Sequence, residues 1–348
     1  MAKVTLEQLL EYCRQGDPHA MYAYSQYLFG QGKLNEALEQ LRKATEKGHL
    51  EAAISLAKLL LHDNSCADLQ AAKVILDAPD LSSEARALML RAQLALRTEA
   101  QEHRAEKSLH YLNAAADLGE PSAKSACDLL RQLGSPHTDN AATLLLPNWF
   151  EWHGEPVQSI PVPLPKILCQ HIIDSYRNRV RPSMVVDPVT GQPKRDEIRR
   201  SSSASIDLMD LDFVTYALIV DVANSLGVEV AHCENLALLH YRENEEYRYH
   251  ADYLINNSGQ TSRSLTLSGQ RTHTVLIYLN EGYQGGETDF PKWQLKALPA
   301  LGKAIMFKNI DEYGQPDRDS IHAGKPVLAG EKWVLSIWVR EKPYQHVW

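Results

Sequence analysis

His250 and Asp252 stand two residues apart in a tyrosine-rich stretch, residues 247–254. On a strand, positions i and i+2 face the same side, so this imidazole and carboxylate could chelate one metal ion. Alone the pair is weak evidence, because so short a motif recurs by chance. His137 and Asp139 form a second such pair, in a proline-rich stretch with no strand to hold it, and are set aside. His322 strengthens the first pair: it precedes the last two strand-like runs. Two histidines and one carboxylate make the facial set that binds non-haem Fe(II) and leaves three adjacent positions open. Lys332 follows His322 by ten residues, across a turn at Ala329–Gly330. A lysine aimed into a barrel mouth is costly to desolvate unless it meets an anion, and a dicarboxylate on the metal would supply one. Tyr241 and Tyr247 share strand parity, and Tyr278 offers a further hydroxyl. His240 and His273 read as structural or surface groups, and Gly285-Gly286-Glu287-Thr288 as a turn and strand start.

A β-rich C-terminal half must position these groups. Residues 236–241, 247–254, 272–279, 303–308 and 332–341 are β-branched and aromatic-rich, with glycine-containing turns between them. Helical periodicity covers 167–180 and 211–226. The pattern predicts a sandwich or jelly roll with flanking helices. The N-terminal third is repetitive. Four similar segments end at Ala20, Ala52, Ala85 and Ala123, spaced 32, 33 and 38 residues apart. Leu38, Leu41 and Ala44 recur as Leu109, Leu112 and Ala115, and Gly48 and Gly119 occupy helix C-cap positions. A period in the thirties with two helices per unit predicts an α-solenoid. It resembles Sel1-like and tetratricopeptide repeats. Such repeats serve packing or dimerisation, or offer a groove for a peptide or partner. Six prolines, with Trp149 and Trp152, fall between Gly134 and Lys166. The expected organisation is a multidomain α+β chain: helical repeats over 1–135, a proline-rich linker over 136–165, and the site-bearing domain over 166–348.

Composition narrows the partners. The 348 residues carry 36 Lys plus Arg against 44 Asp plus Glu, a net charge of −8. An acidic chain is poorly suited to neutralising phosphates, so nucleic acid is not an expected partner. No apolar run approaches the ~18 residues needed to span a bilayer, so no membrane is expected either. The N-terminal stretch lacks the basic start and apolar core of a secretion signal. Five scattered cysteines without a CxxC pair fit a reducing, cytoplasmic setting.

From about residue 166 to 342 the chain resembles the prolyl 4-hydroxylase family of 2-oxoglutarate- and Fe(II)-dependent dioxygenases. The resemblance rests on residues 181–206, 238–254, 269–291 and 321–341, and above all on the order His250, Asp252, His322, Lys332. It implies a double-stranded β-helix, or jelly roll, with Fe(II) on His250, Asp252 and His322. It further implies that Lys332 and Tyr278 hold the far carboxylate of 2-oxoglutarate, with Tyr241 lining the same pocket. Dioxygen is the second cosubstrate, L-ascorbate the expected reductant, and succinate and CO2 the expected products. Arg199, Ser201 and Ser202 match a loop that folds over a peptide substrate, and Tyr247 and Trp338 match substrate-pocket positions. The substrate implied is a prolyl residue in a peptide or protein, which the repeats could present. Two alternatives stay open: a free amino acid or small metabolite as substrate, or a repeat-based adaptor whose oxygenase domain senses oxygen or iron. Oligomeric state is not specified. The chain departs from the family at Asn244 (usually Gly), Tyr249 (usually Pro), Arg200-Ser201-Ser202-Ser203 (usually Thr-Ser-Ser-Gly) and in the 18 residues from Leu254 to Arg271.

Overall fold

The computed structural model describes residues 4–62, 66–100, 102–134, 145, 155–160, 162–186, 193–195, 198–256 and 259–345. The chain separates into two compact units, one built chiefly on residues 1–128 and the other on 143–348.

The N-terminal stretch is helical: α1 (Leu6–Arg14), α2 (Pro18–Gly30), α3 (Leu34–Glu46), α4 (Leu50–His62), α5 (Cys66–Leu76), α6 (Ala85–Thr98), α7 (Arg104–Asp117) and α8 (Pro121–Gln132). Local chemistry sets the ends. Asp17 caps α2 through the Ala20 and His19 amides, with Pro18 at the first helical position. Gly48 and Gly119 stand just past α3 and α7 at φ 79° and 88°, a left-handed closure that glycine adopts without strain. From α1 to α7, consecutive helices pack on one another.

The repeat register differs from the sequence reading at one place. The alanine third in its helix is Ala20 in α2, Ala52 in α4, Ala87 in α6 and Ala123 in α8, and all four are buried. Ala85, the residue picked out by spacing, opens α6 and is only half-buried. Glu84 caps that helix, so the cap, not the Ala spacing, sets its phase.

The second unit is antiparallel throughout its described pairings. Its strands are β1 (Val157–Ser159), β2 (Arg181–Pro182), β3 (Met184–Val186), β4 (Pro193–Arg195), β5 (Arg199–Arg200), β6 (Ser202–Ile206), β7 (Leu236–Tyr241) and β8 (Glu246–His250). They continue with β9 (Arg271–Tyr278), β10 (Gln284–Gly285), β11 (Thr288–Phe290), β12 (Leu295–Ala297), β13 (Ala304–Lys308), β14 (His322–Gly324), β15 (Val327–Ala329) and β16 (Lys332–Arg340). Seven strands form one sheet in the order β1-β13-β9-β16-β7-β6-β2, and five form the other, β12-β11-β14-β8-β5. Two antiparallel sheets fit the expected sandwich or jelly roll. One apolar cluster unites both sheets: Leu239, Tyr241, Leu276, Ile305, Phe307 and Val334 come from the larger, Phe290 and Ala297 from the smaller. Burial of such side chains, at about 1.5–3 kcal/mol each, is the main term holding the sheets together.

Helices α9 (Lys166–Tyr176) and α10 (Phe213–Ser225) form where periodicity predicts them. Val157–Ser159 lies in the stretch read as linker, yet it pairs with β13 as an edge strand of the larger sheet. The rest of that stretch, Trp149 and Trp152 included, falls largely outside the described residues. The insertion from Leu254 to Arg271 holds α11 (Gly259–Ser268). Its base is closed by the Gln270 side chain, which bonds both the amide and the carbonyl of Leu254. Asn244 sits at φ 65° in the turn between β7 and β8. Asn tolerates the left-handed region better than most residues, so it fits this turn at the position where the family usually has Gly. Among the described residues, no helix is long and apolar enough to cross a membrane.

Candidate metal and cosubstrate site

β8 and β14 pair with His250 directly opposite His322. The two imidazole centroids lie 4.4 Å apart. Asp252 stands beyond the end of β8, so strand parity is not what turns its carboxylate inward. Thr274 on β9 does that: its Oγ1 donates to Asp252 Oδ2 at 2.8 Å, and Asn309 Nδ2 donates in turn to Thr274 at 2.9 Å. The Asp252 oxygens lie 3.6 Å from His250 Nε2 and 3.7 Å from His322 Nε2. One ligand atom from each of the three residues falls within 4.8 Å of the others.

Hydrogen bonds fix which ring nitrogens are free. His250 Nδ1 is bonded to the Arg248 carbonyl at 2.8 Å and His322 Nδ1 to the Ser320 carbonyl at 3.0 Å. A carbonyl only accepts, so both Nδ1 atoms carry the proton and both Nε2 lone pairs face the shared centre. Burial pushes His322 down to about 4. Burial alone would raise the Asp252 carboxyl, but neighbouring His322 and His250 bring it well below the usual carboxylate range. Near neutral pH the centre presents two imidazole nitrogens and an anionic oxygen, a donor set suited to a divalent transition metal.

Lys332 opens β16 beside this centre and is 3% exposed. Its Nζ donates to the Gly286 carbonyl at 2.6 Å and sits over the rings of Tyr241 and Tyr278, 5.2 and 5.3 Å from their centroids. No ion pair partners it among the described residues. Burial pushes the ammonium down to about 7, against the pull of Glu287. A buried cation without a counter-charge is costly, and a carboxylate brought into the pocket would relieve that cost. Gly286 makes room for the lysine: at φ 69°, a Cβ there would lie 3.0 Å from Lys332 Cδ.

Tyr241 lines the pocket. The Tyr278 hydroxyl instead bonds Thr288 Oγ1 at 2.7 Å, and it is Thr288 that lines the pocket. Burial holds both tyrosine hydroxyls above their ordinary range, so both stay protonated. Thr288, Thr274 and Arg271 were not singled out by sequence. Parity offered a signal for one of them, since Thr274 and Leu276 alternate with Tyr278 on the inward face of β9.

Of the expected substrate residues, the structure brings Arg199, Tyr247 and Trp338 to the pocket and leaves Ser201 and Ser202 out. Tyr247 stacks on His250 with ring centroids 3.4 Å apart and planes 9° from parallel. The Arg199 guanidinium lies 5.3 Å from the centroid of the Tyr247 ring. The stretch expected as a loop over the substrate is two short strands. β5 belongs to the smaller sheet and β6 to the larger, so the chain changes sheets at Ser201. Ser201 is buried against Ser183, their hydroxyls 3.2 Å apart. Ser202 pairs with His240, whose parity is opposite to that of Leu239 and Tyr241, so Ser202 faces away from the site. Tyr249, which replaces the family proline, reaches across β14 to donate to Asp289 on β11. That bond ties together the two strands flanking β14.

Residues 236–340, which run from β7 to β16, match the model of the 2OG-Fe(II) oxygenase superfamily. Probable prolyl 4-hydroxylase 7 of Arabidopsis thaliana is 29% identical over 195 residues, covering 51% of this chain and 60% of that protein. Probable prolyl 4-hydroxylase 6 of the same plant is 31% identical over 195 residues, covering 51% and 66%. Mouse prolyl 4-hydroxylase subunit alpha-1 is 30% identical over 169 residues, covering 49% and 31%. The chain thus spans between 31% and 66% of the length of these relatives. A solved viral collagen prolyl hydroxylase from Paramecium Bursaria Chlorella virus-1 covers 54% of this chain and 97% of its own, at 23% identity and a TM-score of 0.41, a likeness too distant to bear on activity. The second unit carries a 2OG-Fe(II) oxygenase domain of prolyl 4-hydroxylase-like sequence.

Proposed function

We propose that the protein is an Fe(II)- and 2-oxoglutarate-dependent dioxygenase that hydroxylates a prolyl residue of a peptide or protein. The observation that carries this reading is a buried lysine without an ion-pair partner, Lys332, sharing one pocket with the His250–Asp252–His322 donor set. In this reading the three side chains hold Fe(II). Lys332 receives the far carboxylate of 2-oxoglutarate, with Thr288 and Tyr278 beside it. The metal, when bound, supplies dioxygen activation coupled to oxidative decarboxylation of 2-oxoglutarate to succinate and CO2. The chain's own part is positional. Thr274 and the two backbone carbonyls orient the ligands, apolar walls from both sheets exclude water, and the stacked Tyr247 and Arg199 border the substrate side. L-ascorbate is the reductant that keeps the metal ferrous.

The N-terminal helices are read as Sel1-like or tetratricopeptide-type repeats in a solenoid that presents the substrate chain. The reading keeps repeats over 1–135, a linker over 136–165 and the oxygenase domain over 166–348, in a reducing, cytoplasmic setting. The test is mass spectrometry of proline-containing peptides after incubation with the full chain, Fe(II), 2-oxoglutarate, ascorbate and air. One added oxygen on a prolyl residue, with matching succinate, is expected. Succinate release that depends on Fe(II) but leaves every proline peptide unmodified would overturn the prolyl assignment.

A further inference from the structure

Beside the metal pocket lies a second, more polar cavity of about 230 Å³, and Arg199 and Trp338 wall both. A space this size holds several waters or one short acidic side chain. Its charge is unbalanced. Glu234 accepts both arms of Arg271 at 2.7 Å and an arm of Arg340 at 2.9 Å. Asp252 gives Arg271 only its backbone carbonyl, at 3.2 Å. Arg199 adds a third guanidinium. Its Nε is buried with no hydrogen-bond partner, and no ion pair engages it among the described residues. Two guanidiniums, Arg199 and Arg271, and one carboxylate, Glu234, therefore line the cavity, with Arg340 behind Glu234. Trp338 Nε1, on the same wall, is a second buried donor without an acceptor. Buried donors left unpaired cost about 1–3 kcal/mol each, more when charged, unless a ligand satisfies them.

Building on the dioxygenase reading, we infer that the substrate carries a carboxylate close to the carbon that is hydroxylated, and that Arg199, with Trp338 Nε1, receives it in this cavity. The carboxylate has two possible sources with one chemistry: an Asp or Glu side chain flanking the target residue of a peptide, or the α-carboxylate of a free amino acid. Arg199 is then a specificity-determining residue, because its planar fork matches a carboxylate and leaves a neutral amide poorly paired.

The test is equilibrium binding to the full chain with Fe(II) and 2-oxoglutarate under anaerobic conditions, so that no turnover occurs. The probes are fluorescent proline peptides with Asp, Asn or Ala on each side of the proline, and unlabelled L-proline and L-prolinamide as competitors. At one flank Asp is expected to bind about tenfold or more tighter than Asn. Arg199→Gln, checked for folding by its melting temperature, should bring that ratio close to one, and Arg199→Lys should keep part of it. Competition by L-proline and not by L-prolinamide would support the same chemistry with a free amino acid as its source. Equal binding of all three peptide classes, and of L-proline and its amide, would overturn the inference while leaving the dioxygenase reading intact. A protein that neither binds Fe(II) nor releases succinate would instead overturn that underlying reading.

Discussion

At the scale of single residues the site is a balance of two buried charges, Asp252 and Lys332, and the groups that orient them. The Asp252 carboxyl is held well below the usual carboxylate range against the effect of burial, and Thr274 donates to it. Lys332 has no such partner, and its stability depends on what enters the pocket. Lys332→Ala should therefore weaken 2-oxoglutarate binding about ten- to a hundredfold, the range of a charge-assisted bond in a closed pocket. Fe(II) binding should change far less, because Lys332 is not part of the donor set. Lys332→Arg keeps the charge with a different fork and should recover part of the affinity. Titration of each variant with 2-oxoglutarate, followed by succinate release, checks this; an unchanged 2-oxoglutarate requirement in Lys332→Ala would remove the lysine from the site. The triad and Lys332 were legible in the sequence because their order and spacing survive any local rearrangement. Thr274 and Thr288 were not, because a threonine's role depends on which neighbour its hydroxyl meets across sheets. Ser201 and Ser202 were placed in the site by motif alone, and a change of sheet at that point turns them away.

At the scale of elements, β-branched and aromatic enrichment predicted the long strands β7, β9 and β16, and helical periodicity the helices α9 and α10, to within a few residues. Short edge strands such as β1 and β5 carry no periodic signal, since two or three residues cannot display one, and only pairing reveals them. The helical array shows how a sequence repeat can be read out of phase. Spacing selected Ala85, while the packed position is Ala87, at 0% exposure. Ala87→Leu should destabilise the helical unit by about 1–3 kcal/mol through overpacking. Ala85→Leu, half-exposed at the start of α6, should stay within about 0.5 kcal/mol. Thermal unfolding of the two variants decides between the registers, and a larger loss for Ala85→Leu would restore the spacing-based one.

At the scale of the whole molecule, an acidic chain with two compact units carries a site in which His322 is buried and held neutral. Burial holds His273 and His322 in the second unit at about 4, against an ordinary value of 6.5. The folded state thus binds fewer protons than the unfolded state between those values. The contribution of these two histidines is fully present above pH 6.5 and is lost as pH drops towards 4, by about 1.4 kcal/mol per pH unit for each histidine. Urea unfolding of the metal-free protein between pH 6.5 and 5 measures that slope, and His273→Gln should flatten it; an unaltered slope would mean that His273 is not held neutral. The central claim is that His250, Asp252 and His322 hold the iron that drives 2-oxoglutarate turnover. Its most direct test is Fe(II) binding and succinate release measured together on the wild-type chain and on Asp252→Ala. One Fe(II) per chain and 2-oxoglutarate-dependent succinate in the wild type, with both lost in Asp252→Ala while the fold is kept, is the predicted result, since a facial triad has no spare ligand. An Asp252→Ala protein that still binds iron and releases succinate at the wild-type rate would contradict the account.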